Sequence, residues 1–589
     1  MTELPDAMWV TAMRDHALPE CQAFRTRHRA DIIFIVTMAG RIIQMQSGFA
    51  MLESAYAQPN NSANIMMKNM LDLFIGVLVF YFIGYWIAFG DSYDVGMADT
   101  GYDLAHWFCS FSYATTAATI NSGALAGRVA FFPYLVLSTI MTGIVYPISA
   151  RLVWGDGWLQ QMGFVDFAGS STVHMVGAVS ALVSTCFVGP RIGRFKDYRA
   201  WRAPWSVIFF EKHDSKYYQE PEAPVEKKVF VPFRKCRHPV QLLFGTFLLL
   251  VGFLAFNPAS TFASTNNLDL TVAYSSVTTL LAAAGAGLGG MLYSIASARA
   301  AVVRVPELTN AVIGGLVASC ACCNVIPLPI APLVGFVAAI LTLGFEEMLT
   351  HFQIDDAVGA VAAHGPSGAW GTLAVALFAD RHCSDSHELV GIFFGGGDAA
   401  WRHLGIQALG ILVLLSISLG ATYAVVMLTD LLFGFRVCRA CELIGLDFWE
   451  HQFDDGSLDS DSHKATLWSM SKMRDDLSRR SRYFDKLKRQ KWWSFSRAAA
   501  PTPHGAGLSE ASTDASDGAL AETVGGTAGG GDGDRVEELS RKVQALEAQL
   551  SLLTVGMLRN QQSAGPGTFE DICGTGLRTE ACLPESQKA

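Results

Sequence analysis

The chain has 589 residues, 51% of them hydrophobic and only 16% charged, and its apolar residues come in blocks rather than one-sided stripes. That composition excludes an ordinary soluble domain and points to a protein that crosses a membrane many times. The formal net charge of −10 sums two compartments and a tail, and excludes little.

Residues 1–30 form a polar segment without the short apolar core of a cleaved signal peptide, and are expected to be extracellular. A spanning helix needs roughly 20 mostly apolar residues, because backbone groups in lipid must bond within their own segment. Blocks of this kind lie near 31–52, 67–90, 104–126, 129–153, 166–188, 239–258, 272–294, 307–325, 328–349, 358–379 and 401–431, which makes eleven. The stretch 191–238 is too polar to span and is rich in Lys and Arg, from Arg191 to Arg237. Short cytoplasmic connections collect such residues, so this loop and the basic tail are expected in the cytosol. Eleven crossings then place the N-terminus outside, although Arg14, Arg25, Arg27 and Arg29 run against that assignment. Arg41 and Gln44, unusual inside a span, imply that the first helix faces protein or water there.

The membrane domain is thus expected over 31–432, followed by a cytosolic regulatory tail over 433–494. A Gly/Ala/Ser/Thr-rich stretch, 495–533, has the composition of a disordered linker. In 534–558, Val536, Val543, Leu550 and Met557 alternate with Leu539, Leu546 and Leu553 at a and d spacing. This pattern suggests a short parallel coiled coil, with a single amphipathic helix folding back as the alternative, and 559–589 is expected to be disordered. The twelve cysteines are scattered; Cys438 and Cys441 form a C-x-x-C with no second pair at zinc-site spacing, so no metal is expected. Cys320, Cys322 and Cys323 read as small packing residues.

Titratable residues inside spans are costly and usually face a pore or one another. His174 lies in V-D-F-A-G-S-S-T-V-H-M-V-G and His364 in D-D-A-V-G-A-V-A-A-H-G-P-S-G-A-W-G, each eight residues after an aspartate, Asp166 and Asp356. Eight helical residues rise roughly 12 Å, which takes each histidine from the span entrance toward the midplane. The two segments are the fifth and tenth blocks, so two five-helix halves would run in opposite senses, as inverted repeats do, and bring the histidines together. One imidazole nitrogen donates while the other accepts, which suits proton handling or passage of a small neutral hydrogen-bonding molecule. Haem ligation by a histidine pair is the competing chemistry.

From about Asp31 to His451 the chain resembles the ammonium transporter family (Amt/Mep, related to the Rh proteins). The likeness rests on G-F-A-M-L-E from Gly48, M-K-N-M-L-D from Met67, N-S-G-A-L-A-G-R from Asn121, G-P-R-I-G-R-F from Gly189, F-N-P-A-S from Phe256 and both histidine segments, in that order. F-R-V-C-R-A-C-E-L-I-G-L-D-F-W-E-H, from Phe435, is similar to the start of that family's regulatory tail. The resemblance implies a transporter rather than an enzyme, without cofactor or nucleic-acid partner, in a lipid bilayer, most simply the plasma membrane with a vacuolar membrane as the alternative. It also implies a homotrimer with one pore per subunit and cytosolic regulators acting on the tail.

Carried onto matched positions, the family's outer ammonium recruitment site falls on Tyr113, Trp154 and Ser260, and its gate of two stacked aromatics on Tyr113 and Phe256. His174 and His364 become the pore pair, and Asp166 supports the site by bonding backbone groups around A-G-S-S. Taken alone, Trp154 and Tyr113 would read as interfacial anchors and Phe256 as core packing. The chain departs from the family pattern at Gly359, where many relatives carry a second acid, at Tyr113 for phenylalanine, at Phe253 for tryptophan and at Asn60 for lysine. The resemblance leaves open an ammonium sensor signalling through the tail, and a gas channel; the haem carrier is a third alternative.

Overall fold

The computed structural model describes residues 19–90, 101–196, 233–265, 268–383, 389–451 and 453. Most of the basic loop, the tail beyond 453, the linker and the heptad segment lie outside the described residues. Among those described, the fold is helical throughout, with an isolated antiparallel bridge between Val129 and Arg436 as its only β feature.

The first span joins α1, Pro19–Ile43, to α2, Met45–Tyr56. Helix α1 starts well before the apolar block. Arg41 and Gln44 at the junction are exposed on the surface of the chain. Helix α3, Ser62–Val79, passes through a π turn, Phe80–Gly84, into α4, Tyr85–Phe89. After α5, Gly101–Leu125, come α6, Phe131–Ile140, a second π turn at Met141–Val145, α7, Tyr146–Trp154, and the short α8, Trp158–Gln161. A third π segment, Ser170–Met175, leads into α9, Val176–Val188. The other half holds α10, Pro239–Ala259, α11, Leu268–Ala298, α12, Val305–Cys322, α13, Ala331–His351, and α14, Ala360–Phe378. Helix α15, Gly397–Phe433, rises about 55 Å, well beyond a bilayer core. Two short helices, α16 (Arg439–Ile444) and α17 (Leu446–His451), complete the described chain, and Cys438 and Cys441 are disulfide-bonded beside them.

Among the described residues, nine helices are long and apolar enough to cross a membrane. Two more, α5 and α14, are comparable in length but less apolar, α5 through its Ser, Thr, Asn and His and α14 through His364, Pro366 and its glycines. They are also deeply buried, with the run Cys109–Leu125 wholly enclosed. A helix surrounded by other helices needs no lipid-compatible face, so polar residues collect there. Small residues permit the closest approaches: a Cβ on Gly335 of α13 would lie 1.9 Å from the Ala282 carbonyl oxygen of α11.

The basic loop and the tail emerge at the same end. The Arg436 guanidinium donates to the carbonyls of Val188 (2.6 Å) and Pro190 (2.9 Å), and Asp447 N–H to that of Asn60 (2.8 Å). Asn60, standing where a lysine was expected, has φ +60°, a conformation asparagine tolerates, and its side chain donates to the Ile444 carbonyl. Its replacement for lysine therefore fits the docking of the tail.

Candidate functional site

His174 sits in the π segment before α9 and His364 in the second turn of α14, and both are buried. Their rings are stacked, centroids 5.2 Å apart, with Nδ1 to Nδ1 at 3.2 Å. One Nδ1 must carry hydrogen and the other a lone pair, so the pair holds opposite tautomers or shares a proton. Nε2 of His174 is buried without a partner among the described residues and is available to a passing donor or acceptor. Phe253 and Phe256 stack on His174 with centroids 5.3 Å away, and Phe49 lies 6.2 Å from His364. A bis-histidine haem needs its macrocycle between the two imidazoles. Rings in direct hydrogen-bond contact leave no room for it.

Each histidine follows the same local device. The Asp166 carboxylate accepts from the backbone N–H groups of Gly169, Ser170, Ser171 and Thr172 and from the Thr172 hydroxyl, at 2.7–3.1 Å. Asp356 accepts from the N–H groups of Gly359, Ala360 and Ala362 at 3.0–3.2 Å. In both, the glycine three residues after the acid is left-handed, at φ +95° for Gly169 and +84° for Gly359. These N–H groups have no partners within a helix, and the carboxylate supplies them. Gly359 is therefore a turn residue matching Gly169, and Asp356 is the second acid. A Cβ at Gly359 would also meet the Asn310 amide nitrogen at 2.2 Å.

Above the histidines, a cavity of about 230 Å³ is lined by Tyr113, Trp154, Ser260, His106, Ser110 and Phe262, among others. The Tyr113 and Trp154 rings lie 6.2 Å apart, and Trp154 Nε1 donates to the Asp166 carbonyl (2.9 Å). Tyr113 and Phe256, expected to be stacked, instead meet edge to face, 84° apart with centroids at 4.5 Å. The added hydroxyl bonds the Phe256 carbonyl at 3.0 Å and Ser260 Oγ at 2.9 Å. Below the histidines a cavity of about 20 Å³ is lined by Phe49, Glu53, Thr119, Val358 and His364 among others. By volume that is room for about one water-sized molecule.

At the inner end, Asp355 accepts a two-pronged bond from Arg191, Nε to Oδ2 at 2.8 Å and Nη2 to Oδ1 at 2.9 Å, and Arg128 donates to the Asp355 carbonyl at 2.6 Å. Burial raises the Asp355 pKa, but the charges of Arg191, Arg128 and Arg194 outweigh it and hold the carboxyl well below the usual carboxylate range. Among the described residues, no group of three or more His, Cys, Asp or Glu is placed to hold a metal ion.

A family model described as Ammonium Transporter Family matches residues 33–209 and 234–455. The chain belongs to the ammonium transporter family. It is 32% identical to a putative ammonium transporter of Synechocystis sp. over 436 residues, 71% of this chain and 87% of that one. It is 30% identical to ammonium transporter Amt2 of Archaeoglobus fulgidus, covering 72% and 87%. Among solved structures it is similar to a Sensor Amt Protein, with TM-score 0.60, 27% identity and coverage of 72% and 99%. Candida albicans Mep2, at TM-score 0.58 and 22% identity over 73% and 92%, shares the fold.

Of the sequence-derived residues, Tyr113, Trp154, Ser260, Phe256, His174, His364 and Asp166 lie in one continuous neighbourhood. Glu53 and His106 were not singled out. Glu53 was visible within G-F-A-M-L-E, yet only the pairing of α2 with α5 brings it to the small cavity beside His364. His106 lines the larger cavity, in contact with Phe262 at 4.5 Å between centroids.

Proposed function

We propose that the chain carries ammonium, as ammonia with or without its separated proton, across a membrane past His174 and His364. The observation that carries this reading is the contacting histidine pair lying between an aromatic outer cavity and a small inner one. Tyr113, Trp154 and Ser260 recruit the cation, since aromatic faces attract it and hydroxyl oxygens accept its N–H bonds. Tyr113 and Phe256 gate the path, and Asp166 holds the turn that presents His174. An ion pays several kcal/mol to leave water, so ammonia separates from its proton before the histidines.

The arrangement is eleven spans in a five-plus-five inverted repeat, with the N-terminus outside and the loop 191–238 and tail inside. The matched Asp-x-x-Gly turns before both histidines support that repeat. The functional unit is a homotrimer in the plasma membrane, whose tails are held by the coiled coil at 534–558 and answer to cytosolic regulators.

A second reading, an ammonium sensor signalling through the tail, is favoured by the likeness to a protein titled Sensor Amt Protein and by the residues that continue past 453. The test is ammonium-evoked current from reconstituted protein, together with rescue of a transport-deficient cell on limiting ammonium. Transport that is lost, or no longer excludes potassium, in His174→Ala and His364→Ala is expected. Unchanged rate and selectivity in both would refute the pore assignment, and absence of rescue by the native chain would favour the sensor.

A further inference from the structure

Glu53 is a buried acid that the reading above leaves without a role. It lies in α2, one turn beyond Phe49, and lines the inner cavity with Thr119, Gly123 and His364. One carboxylate oxygen, Oε2, accepts from Ser122 Oγ at 2.7 Å and from Asn69 Nδ2 at 2.9 Å. The other, Oε1, has no donor among the described residues and sits beside Gly123, where a Cβ would lie 3.5 Å from it. The side chain is 2% exposed, so this oxygen is enclosed and turned to the cavity, not to bulk solvent.

No neighbouring cation among the described residues reaches the Glu53 carboxyl group. Lys68 and Asp72 face this region from α3, and His364 from α14. Lys68 Nζ is bonded to the Val129 carbonyl at 2.8 Å, and Asp72 is bonded by Tyr134. No Lys, Arg or His among the described residues forms an ion pair with Glu53. Thr119 gives its hydroxyl proton to Asn69 Oδ1 (2.9 Å), so its oxygen offers only lone pairs. A buried carboxylate without a partner is costly and holds a proton until a cation answers it, and Glu53 and Thr119 both line a space the size of one small molecule.

We propose that Glu53 Oε1, with the Thr119 hydroxyl oxygen, forms an ammonium-binding site at the inner end of the pore. The ligand class is a small cation with several N–H donors, whose charge Glu53 answers and whose size the cavity admits. The site gives the inner face its own affinity, separate from that of the outer aromatic cavity. This inference rests on the pore reading given above for its place in the transport path.

The test uses the full chain in oriented membranes, with half-saturating ammonium measured from each face for wild type, Glu53→Gln and Glu53→Asp. Loss of a charged hydrogen-bonding partner is expected to raise the inner-face value about tenfold in E53Q, with the outer-face value unchanged and E53D intermediate. An equal shift on both faces, no shift, or an E53D value equal to that of E53Q overturns the proposal. Crystals soaked in thallium(I), a cation of ammonium size, give a second readout independent of flux. Anomalous density beside Glu53 is expected in wild type and not in E53Q, and its absence from wild type or persistence in E53Q overturns the site. If the native chain moves no ammonium, the transport reading fails while the thallium result still decides the site.

Discussion

Replacing Asp166 with asparagine keeps the size of the side chain and changes only which atoms accept. The native carboxylate takes five hydrogen bonds, two on Oδ1 from Gly169 and Ser170 and three on Oδ2 from Ser171, Thr172 and the Thr172 hydroxyl. An asparagine keeps one acceptor oxygen, enough for two of these, and turns an NH₂ group toward the remaining donors. The hydroxyl can rotate away, but two backbone N–H groups are left facing another donor in a buried turn. Each buried unsatisfied donor costs about 1–3 kcal/mol, so D166N should lose roughly 3–5 kcal/mol once the missing charge is included. The π segment that carries His174 is the part that loosens. At fixed scan rate the thermal midpoint of the purified protein should fall by roughly 5 °C or more, and ammonium current should fall with it. Asp156→Asn, at an exposed position nearby, is the control. A D166N protein with native midpoint and native current would refute the view that this carboxylate holds the histidine in place.

Gly359→Ala combines a left-handed backbone with a Cβ 2.2 Å from Asn310, and should destabilise by about 2 kcal/mol or more, read as a lower thermal midpoint. Tyr113→Phe removes the hydroxyl bonds to Phe256 and Ser260, about 1 kcal/mol each, and frees the ring to stack on Phe256; half-saturating ammonium from the outer face should change while the inner-face value stays fixed. For Asp355, whose folded pKa is depressed, the stabilisation is fully present above the unfolded value of about 4 and is lost as pH falls below that toward the folded value. The midpoint gap between wild type and D355N should therefore be constant from pH 8 to 5 and narrow only below about pH 4. Removing 534–589 should weaken the trimer in detergent, and trimers of unchanged stability would count against the coiled coil.

Most of the spans were legible because each is an apolar block bounded by Gly, Pro or charge, and lipid leaves such a block little choice but helix. Helices α5 and α14 were legible from length and from motifs more than from apolarity, being sheltered by their neighbours. His174 and His364 could be found from their equal distance to an aspartate. The companion signal, a glycine three residues after each acid, is equally present at Gly169 and Gly359, but the family pattern alone reads Gly359 as a missing carboxylate. Backbone handedness, which decides that position, is not written in residue type alone. The Tyr113 hydroxyl bond depended on where the Phe256 carbonyl lies 143 residues later in the chain, and the place of Glu53 on which helix stands beside α2.

The clasp of Arg128, Arg191 and Asp355 joins the end of α5, the end of α9 and the approach to α14. Tyr113 and His364 stand on the first and last of these helices, and His174 on the π segment that leads into α9. A carrier that alternates between outward and inward states must part such contacts in every cycle, and a buried two-pronged guanidinium–carboxylate pair is a poor hinge. The proposed path past Tyr113, His174 and His364 is thus framed by stretches that this clasp ties to one another.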